Sequence, residues 1–71
     1  MYCESLPYKL KKARKDTGFT QREVAKETGI PQPTIARFET GYRTPSAEQL
    51  ATLADFYEVS ADWLLGTKGT K

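Results

Sequence analysis

The chain has 71 residues, 38% of them hydrophobic and 28% charged, enough for one small domain that buries about 60% of its unfolded surface and too apolar for a disordered segment. No apolar run approaches the ~20 residues of a membrane span, and no secretory signal pattern opens the chain. With no histidine and a single cysteine, Cys3, neither a zinc site nor an internal disulfide is available, and the commonest general base is missing. The composition argues against an enzyme and against a cofactor, and points to a reducing, cytoplasmic setting.

Net charge is only +2, but it is unevenly placed: residues 1–43 hold nine Lys/Arg against five Asp/Glu, whereas residues 44–71 hold two against four. A polyanion is expected to approach the first part.

Residues 1–5 form an arm of little pattern, expected to fray. A first helix is predicted from Leu6 or Pro7 to Asp16 or Thr17, with Ser5 as N-cap and Pro7 in the first turn. Leu6, Leu10, Ala13 and Thr17 make its inward stripe. Lys9, Lys11, Lys12 and Lys15 fall elsewhere and are expected to be solvated. Gly18 ends the helix, and Phe19 is placed to staple into the core.

Residues 21–40 organise the rest. Thr20 and Glu23 form a capping box for a second helix, Gln21–Thr28. Gly29 supplies a left-handed stop, and Pro31 pre-sets the backbone for a third helix, Gln32–Thr40. Val24, Ala25, Ile30, Ile35 and Phe38 are the apolar positions, with Ala25 small enough for a close crossing. Two short helices joined so tightly must cross steeply. That is a helix-turn-helix. On the third helix Ile35 and Phe38 point inward, whereas Pro33, Ala36, Arg37 and Thr40 face the other way and Gln32 sits at the tip.

Gly41 closes that helix, and Ser46 with Gln49 caps a fourth, Ala47–Tyr57, with Leu50, Leu53, Ala54 and Tyr57 on one face. Val59 lies in the next turn. Ser60 caps a short fifth helix, Ala61–Leu65, whose Trp63 and Leu64 close the core before Gly66. Residues 67–71 read as a flexible tail or the start of a linker. The expectation is an all-α, five-helix domain over residues 6–66.

Thr20-Gln21 through Phe38-Glu39-x-Gly41, then Pro45 and the ending Asp62-Trp63-Leu64-Leu65-Gly66, resemble the phage Cro/repressor-type (Xre-like) helix-turn-helix domains. The resemblance spans about residues 6–66. It implies a compact, lambda-repressor-like DNA-binding domain, in most members a transcriptional repressor of phage or mobile-element type acting as a dimer. Three positions depart from the family pattern: Thr28 replaces a larger apolar residue, Pro31 a Ser or Thr cap, and Pro33 stands on the reading face.

The major groove of B-DNA is about 12 Å wide and admits one helix. Arg37 suits guanine O6 and N7, Gln32 suits adenine, Pro33 and Ala36 offer apolar surface to a thymine methyl, and Thr34 a hydroxyl; the plainer reading of Arg37 is an exposed surface arginine. Thr40, Tyr42, Arg43 and the Thr44 amide are candidates for phosphate contacts, which fix register and carry no sequence information. Tyr42 could instead pack on the fourth helix. The resemblance adds Gln21 as a phosphate grip at a helix N-terminus. It also implies that Arg14 pairs with Glu39 in a half-buried salt bridge, with Arg14 shared between that partner and a phosphate.

Phe56, Tyr57, Val59, Trp63 and Leu65 read either as core or, by resemblance, as a dimer seam. A dimer would read a roughly palindromic operator with half-sites about 10 bp apart. Two other functions fit the same fold: an antitoxin that represses its own operon, and a protein-interaction module that has lost DNA binding. Arg37 and Arg43 argue against the second.

Overall fold

The structure, a computed structural model, describes residues 5–65. The stretch up to residue 4 (with Cys3), the stop expected at Gly66 and the tail lie outside the described residues. Five helices follow in order: α1 Leu6–Thr17, α2 Gln21–Thr28, α3 Gln32–Thr40, α4 Ala47–Tyr57 and α5 Ala61–Leu65. No strand occurs among the described residues. The architecture is the five-helix one that the periodicity predicts, and no helix among the described residues is long and apolar enough to cross a membrane.

Local chemistry sets the boundaries. The Glu23 amide donates to Thr20 Oγ1 at 3.1 Å, and Glu23 Oε1 accepts from the Thr20 amide at 2.8 Å. Ser46 and Gln49 repeat the arrangement at 3.1 and 3.0 Å. Each such cap stabilises by about 1 kcal/mol. Ser5 differs from expectation: its backbone stands at the N-cap of α1, but its side chain caps nothing. α3 also starts without a side-chain cap; instead the Pro31 carbonyl accepts from the Thr34 and Ile35 amides, each at 3.0 Å.

The turn between α2 and α3 depends on Gly29, whose φ of +78° is unfavourable for any residue with a Cβ. Its amide donates to the Ala25 carbonyl at 2.9 Å. Thr28 reinforces this turn. Its hydroxyl donates to the Val24 carbonyl at 2.7 Å and accepts from the Ile30 amide at 3.3 Å. The polar residue at this departure from the family pattern thus holds the turn with hydrogen bonds where a larger apolar side chain would pack.

α1 packs against α3, α4 and α5, and α2 against α3 and α4. Ile35 and Phe38 of α3 are 1% and 2% exposed and meet Leu10, Ala13 and Val24 in the interior. Burying each large apolar side chain is worth about 1.5–3 kcal/mol. Leu53, Tyr57, Trp63 and Leu64 close the other side of the same core. Phe19 is half-buried and stacks obliquely on Phe56, ring centres 4.9 Å apart.

Two α1 residues differ from the stripe read in the sequence. Thr17 is exposed, and its hydroxyl turns back on the Ala13 and Arg14 carbonyls at 3.0 and 2.9 Å. Lys9 is buried rather than solvated. Its ammonium donates to the Trp63 carbonyl at 2.8 Å and lies 5.5 Å from the centre of the Trp63 ring.

Candidate nucleic-acid interface

The two-sidedness of α3 defines the site. With Ile35, Phe38 and Glu39 buried, the opposite side is left to solvent: Pro33, Arg37 and Thr40 are exposed, and Gln32, Thr34 and Ala36 are half-buried. The Arg37 side chain forms no hydrogen bond or ion pair among the described residues. The Thr40 hydroxyl is engaged with the Arg37 carbonyl at 3.2 Å.

Beyond α3 the rim is open. Tyr42 is 80% exposed, so it does not pack on α4. Arg43 and Thr44 are exposed as well. The Tyr42 and Arg43 amides both bond to the Arg37 carbonyl, at 3.0 and 3.2 Å. The turn is therefore fixed by its backbone while its side chains stay available.

A polar cluster ties the start of α2 and both ends of α3 to α1. Arg14 grips Glu39 with two parallel bonds, Nε to Oε2 at 2.7 Å and Nη2 to Oε1 at 3.0 Å. Its third nitrogen, Nη1, donates to the Phe19 carbonyl at 2.9 Å. The Glu39 side chain is 3% exposed and that of Arg14 12%, a burial that only a paired carboxylate tolerates. Hydrogen bonding to Glu39 raises the Arg14 pKa further above its already high value, against the opposing effect of burial. With all three nitrogens directed at protein acceptors, Arg14 is a brace for α3, and the second N–H groups on Nη1 and Nη2 remain for the phosphate contact also expected of it.

Gln21, the first residue of α2, extends the cluster. Its Nε2 donates to Glu39 Oε1 at 3.1 Å, and its Oε1 accepts from Gln32 Nε2 at 2.8 Å. Four side chains from α1, α2 and α3 thus form one chain of bonds ending on the residue at the tip of α3. Nothing in the residue spacing points to this link, because it needs both helix starts placed side by side by the turn at Gly29.

The group read as a possible dimer seam divides. Tyr57 and Trp63 are 3% and 6% exposed. They lie in the core of the single chain, one of the two readings the sequence allows for them, and this burial takes them out of the possible seam. Phe56 and Val59 are half-buried, and Leu65 is 55% exposed. Burial also pushes the Tyr57 hydroxyl pKa well above its ordinary value, with the nearby Glu39 charge adding to the rise.

Residues 10–64 match a family model described as helix-turn-helix. Among similar proteins, the HTH-type transcriptional regulator ImmR of Bacillus subtilis is 40% identical over 62 residues, covering 87% of this chain and 49% of that protein. AnsR of the same organism, also an HTH-type transcriptional regulator, is 40% identical over 63 residues, covering 89% and 54%. The cryptic phage CTXphi transcriptional repressor RstR of Vibrio cholerae is 36% identical over 62 residues, covering 87% and 55%. The chain therefore spans about half the length of the curated relatives it matches. In structure it resembles the P22 c2 repressor, a protein solved with a synthetic operator, with a TM-score of 0.86 at 23% identity over 93% of this chain and all of that one.

Proposed function

The chain belongs to the helix-turn-helix family, and on that premise we propose that it is the DNA-binding part of a transcriptional regulator, a repressor of phage or mobile-element type. α3 enters the major groove. Arg37 and Gln32 read base edges, with Pro33, Thr34 and Ala36 completing the surface against the bases. Gln21, Tyr42, Arg43, Thr44 and Thr40 hold the phosphates on either side. Two copies bind a roughly palindromic operator, and Leu65 with the edges of Phe56 and Val59 is the surface through which they meet.

The observation that carries this reading is the exposed side of α3, where Arg37 stands without a partner among the described residues, above a tightly packed inner side. An exposed arginine on a braced helix suits bidentate recognition of guanine, worth about 1–3 kcal/mol of discrimination. The phage repressor RstR among the similar proteins favours repression. The test is selection from a random duplex pool. Enrichment of one short motif, present twice in inverted orientation, is expected. Recovery of no common motif at low salt would refute the reading.

A further inference from the structure

The cluster beneath α3 does more than brace it. We propose that Glu39, a residue that touches no base, determines which base Gln32 reads, by fixing the orientation of its amide through Gln21. The inference rests on the proposed DNA-binding function and deepens it.

Hydrogen-bond polarity fixes each amide in turn. A carboxylate paired with an arginine is acceptor-only, and Arg14 holds both Glu39 oxygens. The Gln21 atom facing Glu39 Oε1 must therefore be its amide nitrogen, and the contact is 3.1 Å. The opposite end of the same amide, Oε1, is then an acceptor and can take only a donor. Gln32 supplies it through Nε2 at 2.8 Å. Each amide in the row is oriented by the one before, and the row begins at a fixed negative charge. Reversing Gln21 would bring its oxygen against a carboxylate oxygen in a partly buried site, where unpaired acceptors are costly.

The consequence appears at the last member. With one N–H of Gln32 engaged on Gln21, the carbonyl oxygen and the second N–H remain for a ligand. One acceptor and one donor complement adenine, which shows the N6 donor and N7 acceptor in the major groove. An amide held the other way round, through its oxygen, would have both N–H groups left. Two donors complement guanine O6 and N7. Glu39 thus selects adenine over guanine at the position under Gln32 without contacting the DNA. It is a positioning residue for specificity, a role distinct from its part in stability.

Base preference tests this separately from folding. A duplex pool is selected with the native chain and with Gln32→Ala, which identifies the base pair that Gln32 reads as the one whose preference disappears. Binding constants are then measured for duplexes carrying adenine or guanine there, with the native chain, Glu39→Gln and Gln21→Met. Gln21→Met interrupts the row but keeps the Arg14–Glu39 pair, so the proposal stays testable even if Glu39→Gln does not fold. The native chain is expected to prefer adenine by about 5- to 150-fold. Gln21→Met, and Glu39→Gln where folded, are expected to bring the ratio to within about threefold of unity, with preferences at other positions retained. A native-like ratio in Gln21→Met, or a native chain that does not select adenine at this position, overturns the proposal and leaves the DNA-binding reading standing. A native chain that enriches no duplex overturns both.

Discussion

The ammonium of Lys9 in α1 lies 2.8 Å from the carbonyl oxygen of Trp63 in α5, 54 residues away, and 5.5 Å from the centre of the indole ring. A buried lysine is tolerated here because its charge meets the carbonyl end of a helix and a ring face. The contact ties the last helix to the first across the core.

Lys9→Ala is therefore expected to destabilise the domain by about 1.5–3 kcal/mol, the range for a hydrogen bond to a charged group. Trp63 is the only tryptophan, so its fluorescence in a denaturant titration reports both the loss of stability and any change at α5. An unchanged midpoint would show that the buried ammonium contributes nothing net.

Glu39→Ala is expected to cost about 3–5 kcal/mol, because it leaves Arg14 charged and unpaired in a mostly buried place. The melting temperature should fall by more than 10 °C, given roughly 4–8 °C per kcal/mol for a domain of this size. A double-mutant cycle with Arg14→Ala separates the pair from the orphaned charge. The double variant is expected to recover part of the loss. Independent, additive effects would contradict the pairing.

Tyr57 gives a pH prediction. Its hydroxyl pKa is raised in the folded state by burial first and the Glu39 charge second. Its contribution to stability is complete below the unfolded value, about pH 10. As pH rises beyond that, the unfolded chain loses the proton that the folded chain keeps, so stability declines. The melting temperature is expected to fall above about pH 10 in the native chain and less steeply in Tyr57→Phe. Equal slopes would mean that other groups carry the alkaline loss.

These contacts show which parts of the molecule local sequence can specify. Helix boundaries followed from caps, glycines and a 3.6-residue period, all of which act within a few residues; Thr20, Gly29 and Ser46 are examples. The apolar positions of α3 and α4 followed for the same reason. Lys9 could not be placed this way. Its burial depends on where α5 lands, and the helical period of α1 carries no such information. Tyr57 and Trp63 suit a core better than an interface by their helical spacing, but an interface stayed open until the packing of α4 and α5 on α1 buried both. Glu58 is another case: it ends α4 at a φ of +58°, a position that glycine occupies in α1, α2 and α3 at no steric cost. The exposed residues of α3 could be read from its period. The row from Glu39 through Gln21 to Gln32 could not, since it joins three helices.

The central claim is that the outer face of α3 reads bases while the turn after it grips the backbone. Fluorescence-anisotropy titration of the selected duplex and its single-base variants, at two salt concentrations, tests this most directly with the native chain, Arg37→Ala and Arg43→Ala. Arg43→Ala is expected to weaken all duplexes nearly alike and to reduce the salt dependence by about one phosphate, near 0.9 in the slope of log K against log salt. Arg37→Ala is expected to abolish the preference at one base pair, worth about 1–3 kcal/mol, and leave the other positions discriminated. If Arg37→Ala weakens every duplex equally, α3 does not read sequence through Arg37, and the account of this surface is wrong.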